Sequence, residues 1–213
     1  MFAQGSRYAG GMTEADRPDA RRANEGPRAA AGNRAALIAA AREIYAERGL
    51  DVALSGIARR AGVGQGVLYR HFPNRDALVS AVLEENVRDI EEAAAAEGAT
   101  LEGLLGVLTW HVAQSDAFTA LLRVEWVGEH HTGRAYVEDL GSRVGRALEQ
   151  HLPPGHRLGT AEDLVLAVAM VSGAAVGPTH EVRERRALAA WRLLGVEVGA
   201  VRLFGVRPPH PVG

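Results

Sequence analysis

Between Val52 and Arg75 the chain has no acidic residue, carries Arg59, Arg60, Arg70 and Arg75, and sets two short apolar stripes on either side of one glycine. Leu54, Ile57, Ala58 and Ala61 recur at helical spacing until Gly62 ends them; Leu68 and Phe72 form the buried edge of a second piece that Pro73 stops. A helix-turn-helix needs two short helices at a steep angle, a residue that lets the chain turn, and an apolar anchor after it. Gly62 and Val63 fill the last two places, and the motif runs from about 53 to 72. With the apolar positions inside, Gln65, Gly66, Val67, Tyr69, Arg70 and His71 face outward. A carboxylate facing a DNA phosphate would lose attraction, whereas each Arg there releases condensed counterions, so this surface suits the major groove of a duplex.

The net charge of -2 over 213 residues conceals a gradient. Residues 33–75 hold 7 Arg against 3 acids, while 76–213 hold 12 against 19, which confines the basic excess to one block. All 24 basic residues are Arg, a bias that looks like codon usage and is given no functional weight. Cys is absent, which excludes disulfides, thiolate nucleophiles and zinc–sulfur sites. The longest apolar run, Leu164–Gly177, is broken by Ser172 and Gly173 and stopped by Pro178, too short for a membrane span. No export signal opens the chain, and the cytoplasm is the expected compartment.

Residues 1–36 lack Val, Ile and Leu, so 1–32 is expected to be a disordered arm. From Leu37 the pattern is helical throughout. Leu37, Ile38, Ala41, Ile44 and Tyr45 mark a helix at about 33–48 stopped by Gly49. Asn74 is an expected N-cap, with Asp76 in the first turn of a long connecting helix to about Ala96. Further stripes follow at Leu101–Val112, Phe118–Trp126 and Val137–Leu148, the last closed by Pro153-Pro154-Gly155. Thr160-Ala-Glu-Asp163 is a capping-box pattern opening an apolar helix, and a final helix is expected over roughly 181–204, with Leu188, Trp191, Leu194, Val198 and Val201 on one face. No strand pattern appears. The expected fold is all-α, with a DNA-binding unit at 33–92, a helical effector-binding and dimerisation unit at 93–204 and a tail at 205–213.

The run Gly62-Val-Gly-Gln-Gly-Val-Leu-Tyr-Arg-His-Phe-Pro-Asn-Arg-Asp-Ala-Leu78, preceded by Ile57-Ala-Arg-Arg-Ala and by Ala46-Glu-Arg-Gly49, resembles the DNA-binding domain of the TetR family of transcriptional regulators over about residues 33–92. The resemblance implies an N-terminal three-helix domain that binds operator DNA and a larger helical domain that dimerises and often holds a small effector. It implies a repressor more than an activator, and no cofactor. Carried over by position, Tyr69, His71 and Arg75 match phosphate-contacting residues, and Gln65, Gly66, Val67 and Arg70 lie where base edges are read. Ser55 matches another contacting position, and Arg34 would reach the backbone from the first helix. Three positions depart from the pattern: Ala53 and Gly64 stand where hydroxyl caps are common, and Val67 stands where Thr is usual and would offer a methyl contact to thymine.

Dimerisation is expected through the helices at about 160–176 and 181–204, because Leu164, Val165, Leu166, Val168, Ala169, Val171 and Ala174 are too apolar all round for a solvated helix. Trp110, His111, Arg123, Trp126 and Met170 mix apolar walls with polar groups as an effector pocket would. Two sharper motifs carry less. The glycines at 62, 64 and 66 follow a helical stripe and not a strand, which argues against a nucleotide fingerprint, and Glu129-His130-His131 reads as a loop and not a metal site. No nucleophile elbow, zinc-protease or paired-Asp motif supports an enzyme. The remaining alternative is a helical interaction or ligand-binding module that lacks specific DNA binding.

Overall fold

A computed structural model describes residues 26–114, 119 and 134–203. Among these residues there are eight helices and no strand. They are α1 (Pro27–Arg48), α2 (Leu54–Arg60), α3 (Gln65–His71), α4 (Arg75–Ala95), α5 (Leu101–Gln114), α6 (Arg134–Glu149), α7 (Ala161–Ala174) and α8 (His180–Leu193). The expected all-α fold is the fold observed.

Two buried clusters organise the helices. In the first, which we call the head, Leu37, Ile38, Ala41, Ile44 and Tyr45 of α1 pack with Ile57, Leu68, Phe72 and the start of α4. The second, the body, gathers α5 to α8 around the rest of α4. The boundary falls inside α4: Leu78, Ala81 and Val82 belong to the head, whereas Leu83, Val87, Ile90 and Ala93 belong to the body. One continuous helix therefore shares its apolar face between both cores, and any tilt of α4 is felt by each. Its first turn is fixed by Asn74, whose side chain accepts from the Ala77 N–H at 2.8 Å, as the sequence suggested.

α5 is the body's central helix, buried from Leu101 to Ala113 on nearly every side. Across it, Trp191 of α8 donates from Nε1 to Thr109 Oγ1 at 2.9 Å, and Thr109 donates on to the Leu105 carbonyl at 2.6 Å. Arg183, 4% exposed, donates to the Ala113 carbonyl at 2.6 Å and reaches the Ala46 carbonyl of α1 at 3.5 Å, so one guanidinium spans body and head. α7 opens with the anticipated capping box, Thr160 and Asp163 each bonding the other's backbone N–H.

Two expectations need correcting. The first helix begins at Pro27 and not near 33, so residues 27–32 are not part of a disordered arm. Pro suits the first helical position, and the Ala-rich stretch behind it extends the helix by intrinsic propensity without a buried stripe. The expected arm over 1–25 lies outside the described residues, as do the 205–213 tail and, Thr119 apart, the Phe118–Trp126 segment. The final helix stops at Leu193 instead of continuing to 204. Gly195 adopts φ +69, which ends the helix, and the following segment crosses α5. There the Gly199 N–H donates to the Glu102 carbonyl at 2.8 Å, and a Cβ on Gly106 would lie 2.5 Å from the Ala200 carbonyl. Glycine at 106 is what permits this close crossing.

Candidate nucleic-acid interface

α2 ends in a hydrogen-bonded reversal that the sequence writes almost letter by letter. The Gly62 N–H bonds the Arg59 carbonyl at 3.2 Å and the Val63 N–H bonds the Ala58 carbonyl at 3.0 Å, with Gly62 at φ +70. This is the Schellman arrangement, in which only the left-handed residue must be glycine. Space around a Cβ at 62 is open, so backbone conformation and not crowding fixes the residue type. Val63 then packs against the head core, and Ile57, Ala58, Leu68 and Phe72 close the two short helices onto α1 with 2% exposure or less.

Because those positions are used up inside, the remaining face of α3 has nowhere to go but outward. Gln65, Gly66, Tyr69 and Arg70 are exposed, Tyr69 to 52%, while Val67 and His71 are half-buried. Ser55 at the start of α2 is exposed as well. Ser55 and Gln65 share a depression of about 780 Å³ with Arg48, Val52, Arg59 and Arg60, which brings the α2 start, the α3 start and three guanidinium groups around one concavity without a carboxylate among its lining residues. Arg59 was not among the contacting positions that the sequence singled out; its place in this depression is visible only once α2 is folded against α1.

The basic residues of the block divide by what they touch. Arg60 donates to Glu43 and Glu47 of α1 at 3.0 to 3.1 Å, and these hydrogen bonds raise its pKa further and lower that of Glu47. Its charge is spent on holding α2 to α1. Arg75 donates from Nη1 to the Leu50 carbonyl and so pins the loop between α1 and α2. Arg34 places its guanidinium 5.5 Å from the centre of the Phe72 ring, at the end of α3. Arg59 and Arg70 have no carboxylate partner among the described residues. Neither short helix has a side-chain cap: α2 starts at Ala53 and α3 at Gly64.

The residues expected to form an effector pocket do not stay together. Trp110 and His111 line a cavity between α1, α4 and α5. Met170 is not among its lining residues and lies 53% exposed on α7. Arg123 and Trp126 fall outside the described residues, as does Glu129-His130-His131. Among the described residues no group of three or more His, Asp or Glu is placed to hold a metal ion, and no helix is long and apolar enough to cross a membrane.

Comparison with known proteins points the same way as this geometry. The family model described as bacterial regulatory proteins, tetR family, matches residues 37–82. An uncharacterised HTH-type transcriptional regulator of Bacillus subtilis, YvdT, is 37% identical over 59 residues, 27% of this chain and 30% of that protein. An HTH-type transcriptional repressor of Mycobacterium tuberculosis is 43% identical over 51 residues, 24% of this chain and 27% of that protein. The chain thus spans less than a third of the length of these curated relatives. Among solved structures, a TetR transcriptional regulator from Streptomyces coelicolor aligns with a TM-score of 0.55 at 24% identity, over 78% of this chain and 99% of that one. GusR of Salmonella enterica aligns with a TM-score of 0.51 at 20% identity, over 80% of this chain and 96% of that one. These two likenesses establish the fold beyond the matched N-terminal segment.

Proposed function

From a chain that belongs to the TetR family of bacterial regulatory proteins, a family of DNA-binding regulators and not of enzymes, we propose a repressor that binds a near-palindromic operator as a homodimer and is released by a small molecule. The observation that carries the reading is the outward face of α3: Gln65, Tyr69 and Arg70 exposed beside a carboxylate-free depression. In this reading Gln65, Gly66, Val67 and Arg70 meet base edges, and Ser55, Tyr69, His71, Arg34 and Arg59 position the phosphates. Arg75 serves the interface by holding the α1–α2 loop in place, with its remaining donors directed to the backbone. Residues 33–92 do the reading, 93–204 the assembly and sensing, and the work is done on cytoplasmic DNA.

A single recognition helix makes too few contacts for useful discrimination, and a two-fold pair whose α3 helices stand about 34 Å apart reads two half-sites one helical turn from each other. The outer face of α7 and α8 supports such a pairing. Leu166 is 44% exposed, Met170 53% and Leu193 88%, large apolar side chains on the two helices that the sequence nominated. Burying them against their symmetry mates would give an isologous contact.

A mobility-shift titration with DNA from upstream of the gene tests the reading. Gln65→Ala is expected to lower discrimination against altered operators by about 1–3 kcal/mol for the lost base contact, while Arg59→Ala weakens all sequences alike. The reverse pattern would exchange the two roles. Random DNA competing as well as upstream DNA would return the chain to the interaction-module alternative.

A further inference from the structure

Apart from α4, little that is apolar joins the head to the body. Among the described residues the body cluster takes no side chain from α1, and the seam between α1 and α5 is a cavity of about 240 Å³, with Arg42 and Glu43 on one side and Trp110, His111 and Gln114 on the other. The angle of α1 to the body is therefore left to polar groups, whose bonds are directional where apolar contact is not. Two such ties leave α1. Arg42 bonds Asp89 of α4 at 2.7 Å, and the Ala46 carbonyl is reached by Arg183 of α8 at 3.5 Å. Positions 42 and 46 are one helical turn apart, so both ties lie along the same edge of α1.

Arg183 is the less ordinary of the two. It is 4% exposed and lies in the first turn of α8, where the helix's own partial positive charge disfavours a cation. Its guanidinium is held there by the C-terminal ends of other helices. Nε donates at 2.6 Å to the carbonyl of Ala113, in the last turn of α5, and Nη1 donates at 3.3 Å to that of Gly177, just past the end of α7. Nη2 is the donor to Ala46, in the last turn of α1. Carbonyls at helix ends lack intrahelical donors and carry the negative end of the helix dipole, so they can receive a buried cation. Each nitrogen of the fork serves a different helix. Two of these bonds stay inside the body, and only the Nη2 bond leaves for the head; because the fork is planar and rigid, fixing the first two aims the third.

We propose that Arg183 is a positioning residue for DNA binding: it fixes the angle of α1, and with it the helix-turn-helix, against the body, so that the two heads of a dimer stand at one separation. The fixing of the angle rests on the geometry alone, and its consequence for DNA rests on the regulator reading. The route is short. Ala46 takes the Arg183 tie, and the next residue, Glu47, holds Arg60 of α2, so a tilt of α1 against the body displaces the reading surface. A head that visits the DNA-competent angle about a fifth of the time binds an operator of two half-sites about 5-fold more weakly, whereas a single half-site needs no fixed separation and is bound as before.

Arg183→Gln isolates the tie: a Gln side chain keeps an N–H donor one bond beyond Cδ, where Nε bonds Ala113, and ends before the reach of Nη2 to Ala46. Because the chain has no Cys, spin labels at Ala39→Cys on α1 and Glu149→Cys on α6, both exposed, report the head-to-body distance, and mixing with excess unlabelled chain leaves only the within-chain pair. The expected result is one narrow distance distribution in the otherwise wild-type chain and a broadened or displaced one with Arg183→Gln. In mobility-shift titrations Arg183→Gln should lose at least about 5-fold in affinity for a duplex carrying the whole upstream operator and keep its affinity for a duplex carrying one half-site. Arg183→Lys, whose ammonium ends one bond short of Nη2, takes its place if Arg183→Gln does not fold. A broad distribution in the wild-type chain, or an unchanged narrow one in the folded variant, would overturn the positioning role. So would equal losses on operator and half-site, the mark of a damaged head. Unchanged operator affinity in a variant whose distance has moved would overturn the link to DNA. A wild-type chain that binds neither duplex, yet shows the narrow distance and its loss in the variant, would overturn the regulator reading and leave the joint standing.

Discussion

In the head, α2 and α3 start at Ala53 and Gly64 with no side chain over their first N–H groups; in the body, α7 and α8 start at Thr160 and Thr179, each accepting from the third residue of its helix. The same contrast runs through the other polar groups. Body polar side chains turn inward and close on one another, as Trp191 does on Thr109 and Arg183 on the carbonyls of Ala113 and Ala46. On the head, Gln65, Tyr69 and Arg70 turn away from the core. A region whose polar groups are satisfied internally is built to hold shape, and one that leaves them outward is shaped for a partner. The comparison teaches where to look for DNA recognition: on the head's outward surface.

Substitutions can break or sharpen this contrast. Trp191→Ala is expected to have the largest effect, about 3–5 kcal/mol lost in denaturant unfolding, because it opens a cavity in the body and strands Thr109. Tyr69→Ala on the head should leave the unfolding midpoint nearly unmoved while reducing DNA affinity; an equal loss of stability at both positions would erase the distinction.

Acid should strike the body next. The folded His111 resists protonation until about pH 3, whereas the unfolded side chain takes up a proton near 6.5. Between those values the unfolded state binds more protons, so this contribution is fully present above about pH 6.5 and is lost as pH falls. From pH 7 to 5 the loss amounts to about 2 kcal/mol, measurable by chemical denaturation at each pH, and His111→Leu should flatten that slope.

Caps give a smaller and opposite pair of effects. Thr160→Ala should cost about 1 kcal/mol in the body, whereas Ala53→Ser should add up to about 1 kcal/mol to the head and Gly64→Ser a few tenths. Thermal denaturation checks both signs. The smallest effect is expected at Arg60: its ion pairs with Glu43 and Glu47 are solvent-exposed, so Arg60→Ala should shift stability little and DNA affinity less than Arg59→Ala.

The head was legible in the sequence because its signals are local. Gly62 and Val63 write the turn, Pro73 the stop and Asn74 the next cap, each within a few residues of the element it governs. The capping box at Thr160 was legible for the same reason. What sequence reading misjudged depends on partners far along the chain or on conformations that periodicity does not register. That Arg60 of the basic block spends its charge on Glu43 and Glu47 follows only from α1 lying beside α2, a juxtaposition that no local signal records. The stripe from Leu188 to Val198 continues past Gly195 on paper, but a left-handed glycine ends the helix there. Trp110 and His111 looked like neighbours of Met170 by composition, whereas folding joins them to Arg42 and Asn86, residues with no distinguishing sequence context of their own.

The central claim, that the exposed face of α2 and α3 is a duplex-reading surface, is tested most directly by the salt dependence of binding to the upstream DNA. Three or four phosphates neutralised in each of two subunits by cationic side chains, Arg34, Arg59 and Arg75 among them, predict that log affinity falls against log salt with a slope of about -5 to -7, and that random DNA competes poorly. Binding without salt dependence, displaced equally by random DNA, would contradict the account.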